Sequence, residues 1–170
     1  MKKSINEYYD LNGLIDRQIV LLDSISPVLF KKANINGQIE LSQLAPNDSI
    51  WDRELVIFRS GDINKPMLAG RYALEQTKAE DGSNIHLYRS LNPKKTEVDS
   101  LSVQYFSGTS KPSHIRAVIR TSNPLFSNEK KLELHFDHES ELLRAFAISG
   151  WQKMISKNRA TYHIEGEMKP

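Results

Sequence analysis

From Leu101 to Met168 the chain alternates apolar and polar residues through five short segments. These are LSVQYF, HIRAVIRT, KLELHFD, LLRAFAISGWQKMI and ATYHIEGEM. A period of two is that of a strand with one buried face. Turn-rich pieces separate the segments: SGTSKPS, SNPLFSNEK, the HES corner near residue 139, and SKNR. The pattern predicts an antiparallel meander. Its inward face should carry Leu101, Val103, Tyr105, Ile115, Ile119, Leu132, Leu134, Phe136, Ile148, Tyr162 and Ile164.

The period changes upstream. Over residues 10–26 the apolar stripe is helical: Leu11, Leu14, Ile15, Gln18, Leu22 and Ile25 share one face. Asp10 or Asn12 can cap the start, and Pro27 stops the helix. A helix of this length is marginal alone in water, so its stripe should lie on the sheet. Two strand-like runs follow over residues 28–44, joined by Asn36-Gly37, a pair suited to a type I′ turn. A second helix is expected over 49–59, with Trp51, Leu55 and Phe58 on one face. Ser49 and Asp52 resemble its capping box, and Gly61 ends it. MLAGRYALEQ and NIHLYRSL read as two further strands turning at Glu80–Ser83, and residues 92–100 as a polar turn.

The fold class is therefore α+β. A curved antiparallel sheet of about seven to nine strands, rich in meander connections, is packed by two helices from the N-terminal half. A β-sandwich or barrel with helices is the alternative. In the preferred arrangement the sheet is concave toward the helices, and a ligand could sit between them. No repeat or linker divides the chain, so residues 1–170 read as a single domain.

Composition narrows the function classes. Hydrophobic content of 39% with 26% charged residues fits a folded globular protein and not a disordered one. The 23 basic and 21 acidic residues are interspersed, so no footprint for nucleic acid is present. Without cysteine there is no disulfide, thiol nucleophile or Cys-ligated zinc. No apolar run approaches the ~20 residues of a membrane-spanning helix. The N-terminus MKKSINEYYD has two lysines but no apolar core of a signal peptide.

The best metal candidate is His135-Phe136-Asp137-His138-Glu139 with Glu141 nearby, joined by His163 and Glu165 if the last strand lies alongside. Strand alternation explains each of these residues equally well, as polar positions opposite Leu132, Leu134 and Phe136. Arg116 and Arg120 share the polar face of one strand; Glu133, His135 and Asp137 share that of the next. Cross-strand ion pairing accounts for them better than an anion site does. Trp151 and Tyr162 are expected to pack across the final hairpin. Neither GxSxG nor HExxH occurs, and Ser107-Gly108-Thr109-Ser110 lacks the context of a phosphate loop. No catalytic, cofactor-binding or metal residue is assigned, and no cofactor is expected.

Several stretches resemble a group of small uncharacterised lipoproteins from Bacteroidetes. They are YYDLNGLIDRQIVLLDSISP, the NING hairpin, the pattern Trp51, Glu54, Leu55 and Phe58, the run from Asp62 to Tyr72, and the ending from Ile148 to Met168. The resemblance covers most of the chain through short motifs. It implies a cell-envelope protein, periplasmic or on the outer membrane, held by a lipid on a cysteine that this sequence does not contain. Cytoplasmic location is the alternative. The group has no assigned activity, so no residue role carries over. The expectation is a non-enzymatic protein that binds a lipid or other small apolar ligand. A protein-interaction module of a surface or periplasmic assembly is the first alternative, and a metal-dependent hydrolase the second.

Overall fold

The structure is a computed structural model that describes residues 7–170; the lysine-bearing N-terminus considered above lies in part outside the described residues. Among the described residues one antiparallel sheet of nine strands carries two α-helices on one face. The order along the chain is α1 (Leu11–Ile25), β1 (Val28–Ile35), β2 (Gln38–Leu44), α2 (Asp48–Leu55), β3 (Tyr72–Lys78), β4 (Asn84–Ser90), β5 (Val98–Tyr105), β6 (Pro112–Ser122), β7 (Phe126–Phe136), β8 (Leu143–Met154) and β9 (Ala160–Lys169). Across the sheet the order is β2-β1-β9-β8-β7-β6-β5-β4-β3. Strands β3 to β9 form an uninterrupted meander, and β9 returns to pair with β1. The sheet is open, with β2 and β3 as its edges, which excludes the closed barrel.

Local chemistry sets the ends of these elements. The Asp10 carboxylate accepts the Gly13 N–H, capping α1, and Ser26 closes the helix in the left-handed region before Pro27. Asn36 and Gly37 both have positive φ, as a type I′ turn between β1 and β2 requires. Asn47, within the stretch Pro46-Asn47-Asp48-Ser49 that can cap a second helix, caps α2 by accepting the Ile50 N–H. The predicted helix over 49–59 divides: its α-helical part ends at Leu55, and Val56–Gly61 winds as a 3₁₀-helix. Pro66–Leu68 is also a 3₁₀ turn, so the strand anticipated from Met67 starts at Tyr72. The polar stretch 92–100 gives way to β5 at Val98, whose side chain is buried.

The core lies between the helices and the sheet. Leu11, Leu14, Ile15 and Leu22 of α1 and Trp51 and Leu55 of α2 meet Leu101, Val103, Ile115, Ala117, Leu132, Leu134, Leu143, Phe146 and Ile148. Phe58 packs edge-to-face on Phe146, with ring centroids 5.5 Å apart. Burying aromatic rings of this size contributes about 2–3 kcal/mol each. Ile25, at the end of the predicted stripe, is instead exposed, and Tyr105, Tyr162 and Ile164 are only partly buried. Gln18 is the polar member of the stripe. Its amide donates to the Glu141 carbonyl and accepts the Leu143 N–H, fixing α1 to the β7–β8 corner. Among the described residues no helix is long and apolar enough to cross a membrane.

Candidate functional site

Strand register places a second set of residues on the face away from the helices. Phe30, Glu167, Ala145, His135, His114 and Gln104 face one another across β1, β9, β8, β7, β6 and β5. The next row runs Leu41, Lys32, Glu165, Ala147, Glu133, Arg116, Ser102 and Leu87 from β2 to β4. β8 contributes an alanine to each row and β5 contributes Ser102 to the second, whereas β6 and β7 between them carry long side chains. A wide sheet patterned this way has floors over β8 and β5 and a ridge over β6 and β7.

The floor over β8 is a trough of about 510 Å³. Ala145 and Ala147 form its base; Phe30 and Leu41 bound one side and His135 the other. Lys32, Glu165 and Glu167 stand at its rim, and the lining is mainly apolar. Leu41 is 74% exposed and Phe30 37%, so both present apolar surface to solvent. Phe146 and Gly166 close the trough from the core side. A Cβ on Gly166 would stand 2.3 Å from the Phe146 ring, so glycine is what lets that ring lie across β9. The floor over β5 is a more polar hollow of about 420 Å³, lined by Leu87, Ser100, Ser102, Arg116, Arg120 and Glu129 among others.

On the ridge, His114 and His135 lie directly opposite in register and stack with centroids 4.3 Å apart and planes 9° from parallel. Glu133 lies two residues from His135 on the same face, its Oε1 at 3.7 Å from His114 Nε2. Arg116 Nε is 3.6 Å from the same carboxylate oxygen. His114 Nε2 is buried without a hydrogen-bond partner. Burial holds the His114 pKa below the usual imidazole range; His135 and Arg116 lower it further, and Glu133 opposes them.

The residues of the sequence's metal candidate, to which no metal was assigned, do not come together as one cluster. Asp137 instead closes the β7–β8 corner, accepting the N–H groups of Glu139 and Ser140 and the Ser140 hydroxyl. Those bonds hold its carboxyl below the ordinary range. His138 packs edge-on against Phe106, and Glu141 pairs with Lys111 at 3.1 Å. His163 faces Ser149, two rows away from His135, and bonds Glu165 at 2.8 Å. Arg116 does meet Glu133 across the strands, while Arg120 meets Glu129 at 2.8 Å and Asp99 at 3.3 Å. Trp151 and Tyr162 sit on opposite faces. Trp151 carries the Arg159 guanidinium at 3.9 Å, and the Tyr162 ring lies over Gly150.

Of the trough lining, His135 and Glu165 stood among the sequence's candidates, but the alanines of its floor did not, and neither did His114. Ala145, Ala147 and Ser149 recur at every second position, a signal that a period of two already contains, but small residues carry no chemistry of their own. His114 became visible only once the turn at Asn123–Phe126 fixed which residue of β6 faces which of β7.

The fold and its outer face define the class: an α+β protein whose open antiparallel sheet is covered by helices on one side and grooved on the other. No protein-family model, curated protein or solved structure matches the chain.

Proposed function

We propose that the protein is a non-catalytic binding protein that takes an acyl chain, or another slender apolar group, in the trough over β8. The observation that carries this reading is a mainly apolar hollow of about 510 Å³ with exposed Phe30 and Leu41 on its wall. Small-molecule sites of roughly 300–1,000 Å³ are lined in this way, with a few polar groups to orient the ligand. Lys32, Glu165, Glu167 and His135 are those groups, so the ligand is amphipathic, its polar end at the rim. The ligand therefore sits on the helix-free face. The space between helices and sheet, the place first anticipated, is filled by the side chains of the core. Residence in the cell envelope, through a lipid anchor outside this sequence, is part of the proposal and rests on the resemblance to Bacteroidetes lipoproteins.

Native mass spectrometry after incubation with a long-chain fatty acid tests the reading. One bound acyl chain per protein supports it. A spectrum of the unliganded chain alone, under conditions that preserve a known fatty-acid carrier complex, would overturn it.

One observation favours a second reading, a protein-interaction module. Edge strand β2 is exposed along nearly its whole length and carries Ile39 at 61% and Leu41 at 74% exposure. An open edge with apolar side chains can receive an added strand. Replacing Ile39, which lies on β2 outside the trough, with lysine would weaken such pairing and leave fatty-acid binding in place, which separates the two readings.

A further inference from the structure

We propose that His114, Glu133 and His135 form a binding site for a divalent transition metal of the zinc class. The ligand atoms these three residues offer all lie within 4.8 Å of one another. The backbone makes the grouping possible. Glu133 and His135 are separated by one residue on β7 and project from the same face, and His114 is the residue directly across from His135 on β6. Two imidazoles and a carboxylate are a donor set that zinc accepts, and three protein donors leave a fourth position open.

The spacing requires only a small adjustment. Ligands around a tetrahedral zinc ion with bonds of about 2.0–2.1 Å stand roughly 3.4 Å apart. His114 Nε2 and Glu133 Oε1 are already at 3.7 Å. The two imidazoles are the part that must move. Stacked rings 4.3 Å apart lie in nearly parallel planes, and one ion cannot lie in both planes at bonding distance. His135 is exposed and turns about a soft terminal torsion, whereas His114 is half-buried. Metal binding therefore breaks the stack by swinging His135. His114 Nε2, buried and without a hydrogen-bond partner, gains a coordination bond to the ion.

Arg116 works against the site. Its Nε lies 3.6 Å from the same Glu133 oxygen, so it competes for the carboxylate and repels a cation. This opposition gives a prediction that a merely structural histidine pair does not make: removing Arg116 should strengthen metal binding. The site also adjoins the trough, since His135 forms part of that wall. A metal held there has its open position available to an anionic ligand group, but the metal site stands on its own geometry and does not require the trough to be filled.

The test is titration of the tag-free chain with zinc chloride by calorimetry, repeated with cobalt(II), whose visible spectrum reports coordination. One ion per chain is expected. His114→Ala and His135→Ala should each weaken it by about tenfold or more, Arg116→Gln should tighten it severalfold, and His163→Ala, a remote histidine, should leave it unchanged. The stacked pair is on the sheet surface, so circular dichroism should show these variants folded. Absence of saturable uptake at millimolar zinc would overturn the proposal. So would equal losses in His163→Ala and His135→Ala, or weaker binding in Arg116→Gln.

Discussion

Gly166→Ala isolates the contact between the core and the floor of the trough. A Cβ at residue 166 would lie 2.3, 2.5 and 2.8 Å from three atoms of the Phe146 ring, where ordinary contact begins near 3.4 Å. The ring would have to retreat by about 1 Å. It has no free space to enter, because Phe146 is buried and its other side rests on the equally buried Phe58. Overpacking of this kind costs about 1–3 kcal/mol. Gly166 is not among the glycines with positive φ, so alanine fits the backbone and recovers about 0.4–1 kcal/mol through the unfolded chain. The net expectation is a loss of about 1–2 kcal/mol. With a urea slope of about 2 kcal/mol per molar, the unfolding midpoint should fall by roughly 0.5–1 M. Phe146→Leu supplies the control: in that background Gly166→Ala should be neutral or stabilising, a coupling of about 1–2 kcal/mol. Equal losses in both backgrounds, or a Gly166→Ala protein as stable as its parent, would refute the packing argument.

Other expectations follow from single groups. Gln18→Leu leaves the Leu143 N–H buried without an acceptor and should cost about 1–3 kcal/mol in urea unfolding. Asp62 is buried, and desolvation raises its carboxyl pKa although the backbone N–H groups of Asn12 and Asn64 oppose this. A raised folded pKa means the folded state holds the proton more tightly. Its contribution to stability is therefore complete at acid pH and falls as pH rises from the ordinary carboxylate value through the folded one. Asp62→Asn should remove that fall, which denaturation at a series of pH values would show as a gap between the two proteins that changes in the variant's favour with rising pH. Glu129 has the opposite sign: the Arg120 hydrogen bond lowers its pKa, so its contribution is present above the unfolded value and lost as pH drops through the folded one. Being a cross-strand surface pair, it should cost no more than about 1 kcal/mol in Glu129→Gln at neutral pH.

The architecture was legible because one chemistry decided it at each point. Alternation located the strands, the stripe from Leu11 to Leu22 located α1, and Asn36-Gly37 located the first hairpin. Where two chemistries competed, boundaries moved. Ser49 and Asn47 both cap well, and the structure uses Asn47. Residues 56–61 carry the helical pattern but close it in a tighter 3₁₀ turn. The outer face was less legible for a different reason. A strand's period says which residues share a face but not which residue lies opposite on the next strand. Hence His135 was grouped with Asp137, His138 and His163, its neighbours along the chain or by assumption, when its partner across the sheet is His114. Small residues raised the same difficulty, since Ala145 and Ala147 mean a trough only when long side chains flank them on β7 and β9.

Acyl-chain binding in the trough can be read directly by displacement of a fluorescent fatty acid from the purified chain, compared between the parent, Ala147→Trp and Ser102→Trp. Ala147→Trp plants a ring on the floor over β8, and Ser102→Trp plants the same ring on the floor over β5. Saturable one-to-one binding that is lost in Ala147→Trp and retained in Ser102→Trp is the predicted result. Binding that survives Ala147→Trp in a folded protein, or that neither variant changes, would contradict a site over β8.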